Sequence, residues 1–106
     1  MTSLNIEIEQ SEDRTVIRLH GCLTFKENQD FTSFIDNLYS GKNCKSVCVF
    51  NLSGIELVDS AGIGMLLIAK DRASNLNIEI ILAQVPENAN HIIQIARLDR
   101  VFTIEE

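Results

Sequence analysis

Leu57-Val58-Asp59-Ser60-Ala61-Gly62-Ile63-Gly64-Met65-Leu66-Leu67 is the stretch on which the reading of this chain turns. It closes a loop with an Asp-Ser pair and opens an apolar helical run, the pattern of a capped helix start. A hydroxyl on the first turn of a helix sits where backbone N–H groups point outward without partners. Such a serine either caps the helix or presents itself as a modification site, and the choice decides what the protein does.

Projected at ~100° per residue, residues 60 to 76 separate into two faces. Gly62, Met65, Leu66, Ala69, Ala73 and Leu76 gather on the side expected to pack on a sheet. The opposite side carries Ser60, Gly64, Lys70, Asp71 and Ser74, and Ile63 and Leu67 fall with them. An isolated Asp-Ser pair at a helix start is most often only a cap. Here a serine, two glycines that strip bulk from its surroundings and two branched apolar residues meet on one face. That combination points to a contact surface.

The sequence on either side supplies the sheet. Leu4, Ile6 and Ile8 alternate with polar residues, and after the turn Ser11-Glu12-Asp13 apolar residues resume at Val16, Ile17 and Leu19 up to Gly21. Two such runs joined by a short polar loop predict a hairpin. Phe31, Phe34, Ile35 and Leu38 form a helical stripe, opened by the capping-box pattern Thr24-Phe25-Lys26-Glu27 and stopped at Gly41. The nearly unbroken apolar run Val47 to Leu52 predicts an interior strand covered on both faces. Ile78 to Ala83 reads as a second buried strand. Pro86 opens a third helix with Ala89, Ile92, Ile93 and Ala96 on one face, and Val101 to Ile104 reads as a last strand. The order β-β-α-β-α-β-α-β predicts an α/β fold, a mixed, mostly parallel sheet with helices packed on it. No repeat, linker or low-complexity tract divides residues 1–106, so one domain is expected.

Composition narrows the function classes. Nine basic against fifteen acidic side chains give a formal net charge of −6, which leaves no basic stripe for a nucleic-acid backbone. No apolar run approaches the ~20 residues of a membrane span, and the N-terminus lacks a signal-peptide pattern, so a cytoplasmic protein without membrane insertion is expected. Cys22, Cys44 and Cys48 make no CxxC pair. Cys44 and Cys48, four apart in a predicted strand, should share a face but stand well separated, so reduced and mostly buried thiols are expected. With His20 and His91 isolated in sequence, no metal site is expected. An enzyme reading would make Ser60 a nucleophile, but the stretch lacks the G-x-S-x-G elbow, and neither histidine has the context of a base. No phosphate loop of P-loop type and no cofactor motif is present.

Val58-Asp59-Ser60-Ala61-Gly62-Ile63-Gly64, preceded by Phe50-Asn51-Leu52-Ser53-Gly54-Ile55, resembles the signature of the STAS family, and within it bacterial anti-sigma factor antagonists. Gly21-Cys22-Leu23 resembles the family's Gly-x-Leu after the second strand, and Pro86 with Ile92 to Phe102 its last helix and strand, so the likeness spans essentially the whole chain. The resemblance implies a non-enzymatic, phosphorylation-controlled partner switch. Ser60 would be the phospho-acceptor, Asp59 would shape the loop, and Gly62 and Gly64 would let a partner backbone approach, with Ile63, Leu67 and Thr24 in the contact surface. Its implied partners are an anti-sigma factor that is also a serine kinase of histidine-kinase-like ATPase fold, and a metal-dependent serine phosphatase. Two positions depart from the family pattern: Ala61 stands where Ser or Thr is common, and Thr24 where many relatives carry Asp. The alternative they keep open is a STAS module outside a sigma-factor circuit, controlling a phosphatase, a biofilm or motility pathway, or serving a lipid-transport complex.

Overall fold

The computed structural model describes residues 4–40, 44–95 and 97–105; the predicted stop at Gly41 and the helix position Ala96 lie outside them. The elements are β1 (Asn5–Gln10), β2 (Arg14–Leu23), a 3₁₀ turn (Phe25–Glu27), α1 (Asn28–Ser40), β3 (Val47–Val58), α2 (Ser60–Asn75), β4 (Glu79–Ala83), α3 (Glu87–Ile95), a second 3₁₀ turn (Leu98–Arg100) and β5 (Thr103–Glu105). They form one five-stranded sheet in the order β1-β2-β3-β4-β5. β1 pairs antiparallel to β2, and every later pair is parallel. This is the mixed, mostly parallel α/β architecture expected from the sequence.

Sequential strand order has a direct consequence. Each crossover is right-handed by the same strand-twist argument. When every step moves the chain in one direction across the sheet, every crossover lands on the same face. The main core accordingly joins all three helices to one side of the sheet. Phe31, Ile35 and Leu38 of α1, Met65, Leu66, Ala69 and Ala73 of α2, and Ile93 of α3 meet Ile17, Leu19, Phe50, Leu52, Ile80 and Leu82. Phe31 and Phe50 pack with ring centroids 6.1 Å apart. The Tyr39 hydroxyl donates to the Ala69 carbonyl at 3.3 Å, and Arg72 pairs with Asp36, so α1 and α2 are also joined by polar contacts.

The other face of the sheet corrects one expectation. β3 is an interior strand buried on both sides, but the second side is not covered by a layer of helices. Val49, Ile81 and Ala83, with half-buried Val16 and Val47, form a small separate cluster drawn from strands alone. Long charged side chains lie around it. Arg14 on β2 reaches Glu105 on β5 at 3.6 Å, across β3 and β4, while Arg18 pairs with Glu9 at 3.3 Å and His20 with Glu7 at 2.8 Å. Arginine stems cover apolar surface while their heads stay wet, which accounts for burial without a second layer.

β3 is also longer than the sequence suggests. Asn51-Leu52-Ser53-Gly54 reads as the end of a strand, yet the strand runs on to Val58 through two register shifts. Arg18 and His20 face Asn51 and Gly54, and Gly21 and Cys22 face Ile55 and Leu57. Each shift adds one residue to β3, as a bulge does. The Asn51 carboxamide oxygen accepts from the Ser53 N–H at 3.0 Å and its hydroxyl at 2.7 Å, which stabilises the first bulge. At Gly54 a Cβ would stand 2.3 Å from His20 Nδ1, so a larger residue there would push the His20 ring aside.

Phe50 is fully buried, and Phe50→Ala is expected to destabilise the protein by ~3–5 kcal/mol in urea unfolding, as large-to-small core changes do. Glu105→Ala, which removes an exposed ion pair, should cost ~1 kcal/mol or less.

Candidate functional site

The carboxyl ends of β2 and β3 lie side by side, and the two loops that leave them build the site. Asp59 is the N-cap of α2, with extended backbone (φ −108°, ψ −177°). Its Oδ1 accepts from the Gly62 N–H at 2.8 Å and its Oδ2 from the Phe25 N–H at 3.1 Å. Its own N–H donates to the Leu23 carbonyl at 3.4 Å. One carboxylate therefore caps a helix and fastens the neighbouring loop to it. On the Phe25 side, the Thr24 N–H and hydroxyl both donate to Glu27 Oε1, at 3.2 and 2.6 Å, closing the predicted capping box.

Because Asp59 caps α2, Ser60 does not have to. It is the first helical residue and is exposed. Ser60, Gly64, Leu67, Asp71 and Ser74 follow one another along the outward side of α2, and a Cβ on Gly64 would meet nothing within 4 Å. The main chain at Gly64 is therefore left uncovered on the outward side of α2.

Three assignments on this helix change. Gly62 is buried, and a Cβ there would stand 2.0 Å from the Leu23 carbonyl oxygen. The backbone that approaches Gly62 closely belongs to β2 of the same chain and excludes a partner from that position. Ile63, expected outward, is only 6% exposed and packs in the main core. The close approach at Gly62 sinks the first turn of α2 toward β2 and carries Ile63, at the edge of the outward face, into the interior. Leu76, expected inward, is 51% exposed because it caps the C-terminus of α2 with φ −107°, outside the helix. Leu67, at 37% exposure, is on the surface as expected. Thr24 is half-buried with its hydroxyl engaged by Glu27, so it acts first as a cap.

The structure adds two residues that the sequence reading passed over. Phe25 is 74% exposed, held beside Asp59 through its own N–H, and Leu57 is 55% exposed two positions before Asp59. Both have a signal in the sequence once the frame is known. Phe25 lies six residues before Phe31, ~120° off the inward stripe of α1. Leu57 follows the second bulge, which breaks the in-out alternation of β3. Phe25 is therefore exposed next to the Asp59–Ser60 turn, and Leu67 stands on the outward side of α2 two turns after Ser60. Among the described residues no group of three or more His, Cys, Asp or Glu side chains is placed to hold a metal ion, and no helix is long and apolar enough to cross a membrane.

The profile of the STAS domain matches residues 5–106. Among solved structures, an anti-sigma factor antagonist from Mycobacterium paratuberculosis superposes with a TM-score of 0.85 at 16% identity, over 97% of this chain and 86% of that one. A putative anti-sigma factor antagonist from Thermotoga maritima gives 0.80 at 20% identity, over 95% and 86%. The Bacillus cell fate determinant SpoIIAA in its phosphorylated form gives 0.70 at 18% identity, over 94% and 90%. At these identities the likeness is one of fold.

The two helix-start glycines should separate cleanly in equilibrium unfolding. Gly62→Ala places a methyl against a backbone carbonyl and is expected to cost ~1–3 kcal/mol, whereas Gly64→Ala should gain up to ~1 kcal/mol from helix propensity. Ile63→Ser should destabilise by ~2 kcal/mol or more as a buried polar substitution, and Leu67→Ser by ~0.5 kcal/mol or less.

Proposed function

The chain belongs to the STAS domain family, and from that premise we propose that it is an anti-sigma factor antagonist that works as a phosphorylation-controlled partner switch. The observation that carries this reading is Ser60: an exposed hydroxyl on the first turn of α2, relieved of capping by Asp59, with exposed Phe25 fastened to Asp59 through its N–H and exposed Leu67 two turns further along the same helix. Unmodified, this surface binds an anti-sigma factor that is also a serine kinase of histidine-kinase-like ATPase fold, and the sigma factor is released. The kinase transfers a phosphoryl group from ATP to the Ser60 hydroxyl, and a metal-dependent serine phosphatase removes it. The protein is a substrate in this cycle, has no catalytic centre of its own, and acts in the cytoplasm.

The switch follows from local electrostatics. Phosphorylation adds ~1.5–2 negative charges and three acceptor oxygens. The N-terminus of α2 accommodates an anion through its free N–H groups and its dipole, so the helix is not expelled from the sheet. The surface changes instead. A dianion now stands beside the Asp59 carboxylate and amid the apolar side chains that a partner would cover. Binding would then require desolvating the phosphate or holding it against like charge, at a cost of several kcal/mol where no cation compensates. Phe25 and Leu67 provide the apolar anchors, and Gly64 lets a partner main chain come close.

The test begins with the purified kinase and ATP. One phosphate should be incorporated at Ser60, and Ser60→Ala should abolish incorporation while leaving the circular dichroism spectrum unchanged. Phosphate mapping to Thr24, Ser53 or Ser74 would overturn the assignment. Affinity for the anti-sigma factor should fall by more than ~10-fold on phosphorylation, the factor that ~1.4 kcal/mol already produces. Phe25→Ala should weaken the same binding by at least ~5-fold, a loss of ~1 kcal/mol or more, with little change in the unfolding midpoint. Amide spectra of the two forms should differ only around residues 24–27 and 57–64; shifts spread through the sheet would mean the modification acts by refolding.

A further inference from the structure

The sequence reading placed Cys44 and Cys48 on one strand and well apart, and the structure corrects it. β3 begins only at Val47, so Cys44 lies in a bend before the strand. The Lys45 N–H donates to Thr15 Oγ1 at 2.9 Å, which folds this bend back over β2. Thr15 and Cys48 are register partners on β2 and β3, and both are fully buried. The fold-back sets Cys44 over the Thr15–Cys48 pair, and Cys44 packs against the buried cluster that contains Cys48. Cys44 itself is half-buried and lines a surface cavity of about 340 Å³ with Tyr39, Ser46, Leu76, Asn77 and Ile78. All three cysteines are free thiols.

We infer that Cys44 and Cys48 form a peroxide-oxidisable thiol pair, with Cys44 as the reacting residue and Cys48 as the resolving one. The roles follow from access: Cys44 opens on a cavity wide enough for hydrogen peroxide, and Cys48 does not reach solvent. The electrostatics agree. The hydrogen bond from Cys48 holds the Cys44 thiol below its ordinary range despite partial burial, and the contact with Cys44 together with burial pushes the Cys48 thiol up. Thiolate character and access are what make one cysteine react before another.

The chemistry balances with a peroxide as oxidant. The Cys44 thiolate attacks one peroxide oxygen, the O–O bond breaks, and the leaving hydroxide takes a proton to become water, leaving a sulfenic acid. The Cys48 sulfur then attacks the Cys44 sulfur. The S–S bond forms as the S–O bond breaks, and the departing hydroxide takes the Cys48 proton as a second water. Two thiols are oxidised and one peroxide is reduced. Cys22, seven positions beyond Thr15 on β2 and so ~23 Å along the strand, is out of reach of this exchange.

The experiment exposes the full chain to hydrogen peroxide and maps its peptides by mass without reduction. The wild type should lose two hydrogen masses and give a Cys44–Cys48 linked peptide that dithiothreitol restores. Cys48→Ser, unable to resolve, should accumulate a dimedone adduct at Cys44, and Cys44→Ser should give neither product. The proposal is overturned if the wild type stays unmodified at peroxide concentrations that oxidise free cysteine. Sulfinic acid at Cys44 in place of the disulfide, or a linkage through Cys22, would overturn it equally. The wild-type mass and peptide map decide the matter even where a variant fails to fold.

Discussion

The carboxylate of Asp59 joins two loops that the chain has no other covalent or helical reason to hold together. One oxygen closes the first turn of α2 and the other takes the Phe25 N–H of the preceding βα loop. The surface around Ser60 is assembled from both loops, so its shape depends on this one side chain. Gly62 completes the arrangement from below, because its missing Cβ lets α2 settle on the Leu23 carbonyl. A carboxylate that accepts from two main-chain N–H groups is among the stronger hydrogen-bonded fixtures available to a small domain. The capping box of Thr24 and Glu27 then holds the adjoining turn rigid from its other side.

How far the sequence could be read depended on the kind of information each element carries. Periodic elements were legible: the hairpin, the stripe of α1, the span of α2 and the order of strands and helices all follow from apolar spacing. Local hydrogen-bond chemistry was legible too, as the capping box and the Asp-Ser helix start show. Features set by tertiary register were not. Asn51 to Gly54 carries turn residues, and only pairing with β2 turns them into a bulge inside a longer strand. Ile63 sits near the boundary between the two faces of an ideal helix, and a 2.0 Å constraint at Gly62 decides its side. Leu76 keeps helical spacing but falls just past the helix end. Cys44 and Cys48 look separated on paper because the bend at 44–46 leaves no periodic trace.

The one-sided placement of the helices shapes the rest of the surface. With all crossovers on one face, the opposite face has only a narrow apolar cluster, screened by the ion pairs Arg14–Glu105 and Arg18–Glu9 and by the hydrogen bond between His20 and Glu7. The parallel strands also separate the molecule into two chemically distinct ends. At their carboxyl ends stand Ser60 and the exposed apolar side chains. At their amino ends stand the thiol pair and its cavity, with Tyr39 beside it, a phenol that burial keeps protonated. The two ends share β2 and β3 and no side chain, which lets each respond to its own chemistry.

The exposed position of Ser60 does not make it a linear target. Here the hydroxyl is carried on a helical turn whose backbone is tied to Asp59, and through Asp59 to a loop thirty-four residues earlier. An enzyme that acts on it has to accommodate a folded edge, with Phe25 on one flank and Leu67 on another. Recognition of that kind discriminates by shape: a peptide spanning residues 57–67 contains every atom of the motif but lacks Phe25 and the fold that holds it beside Asp59.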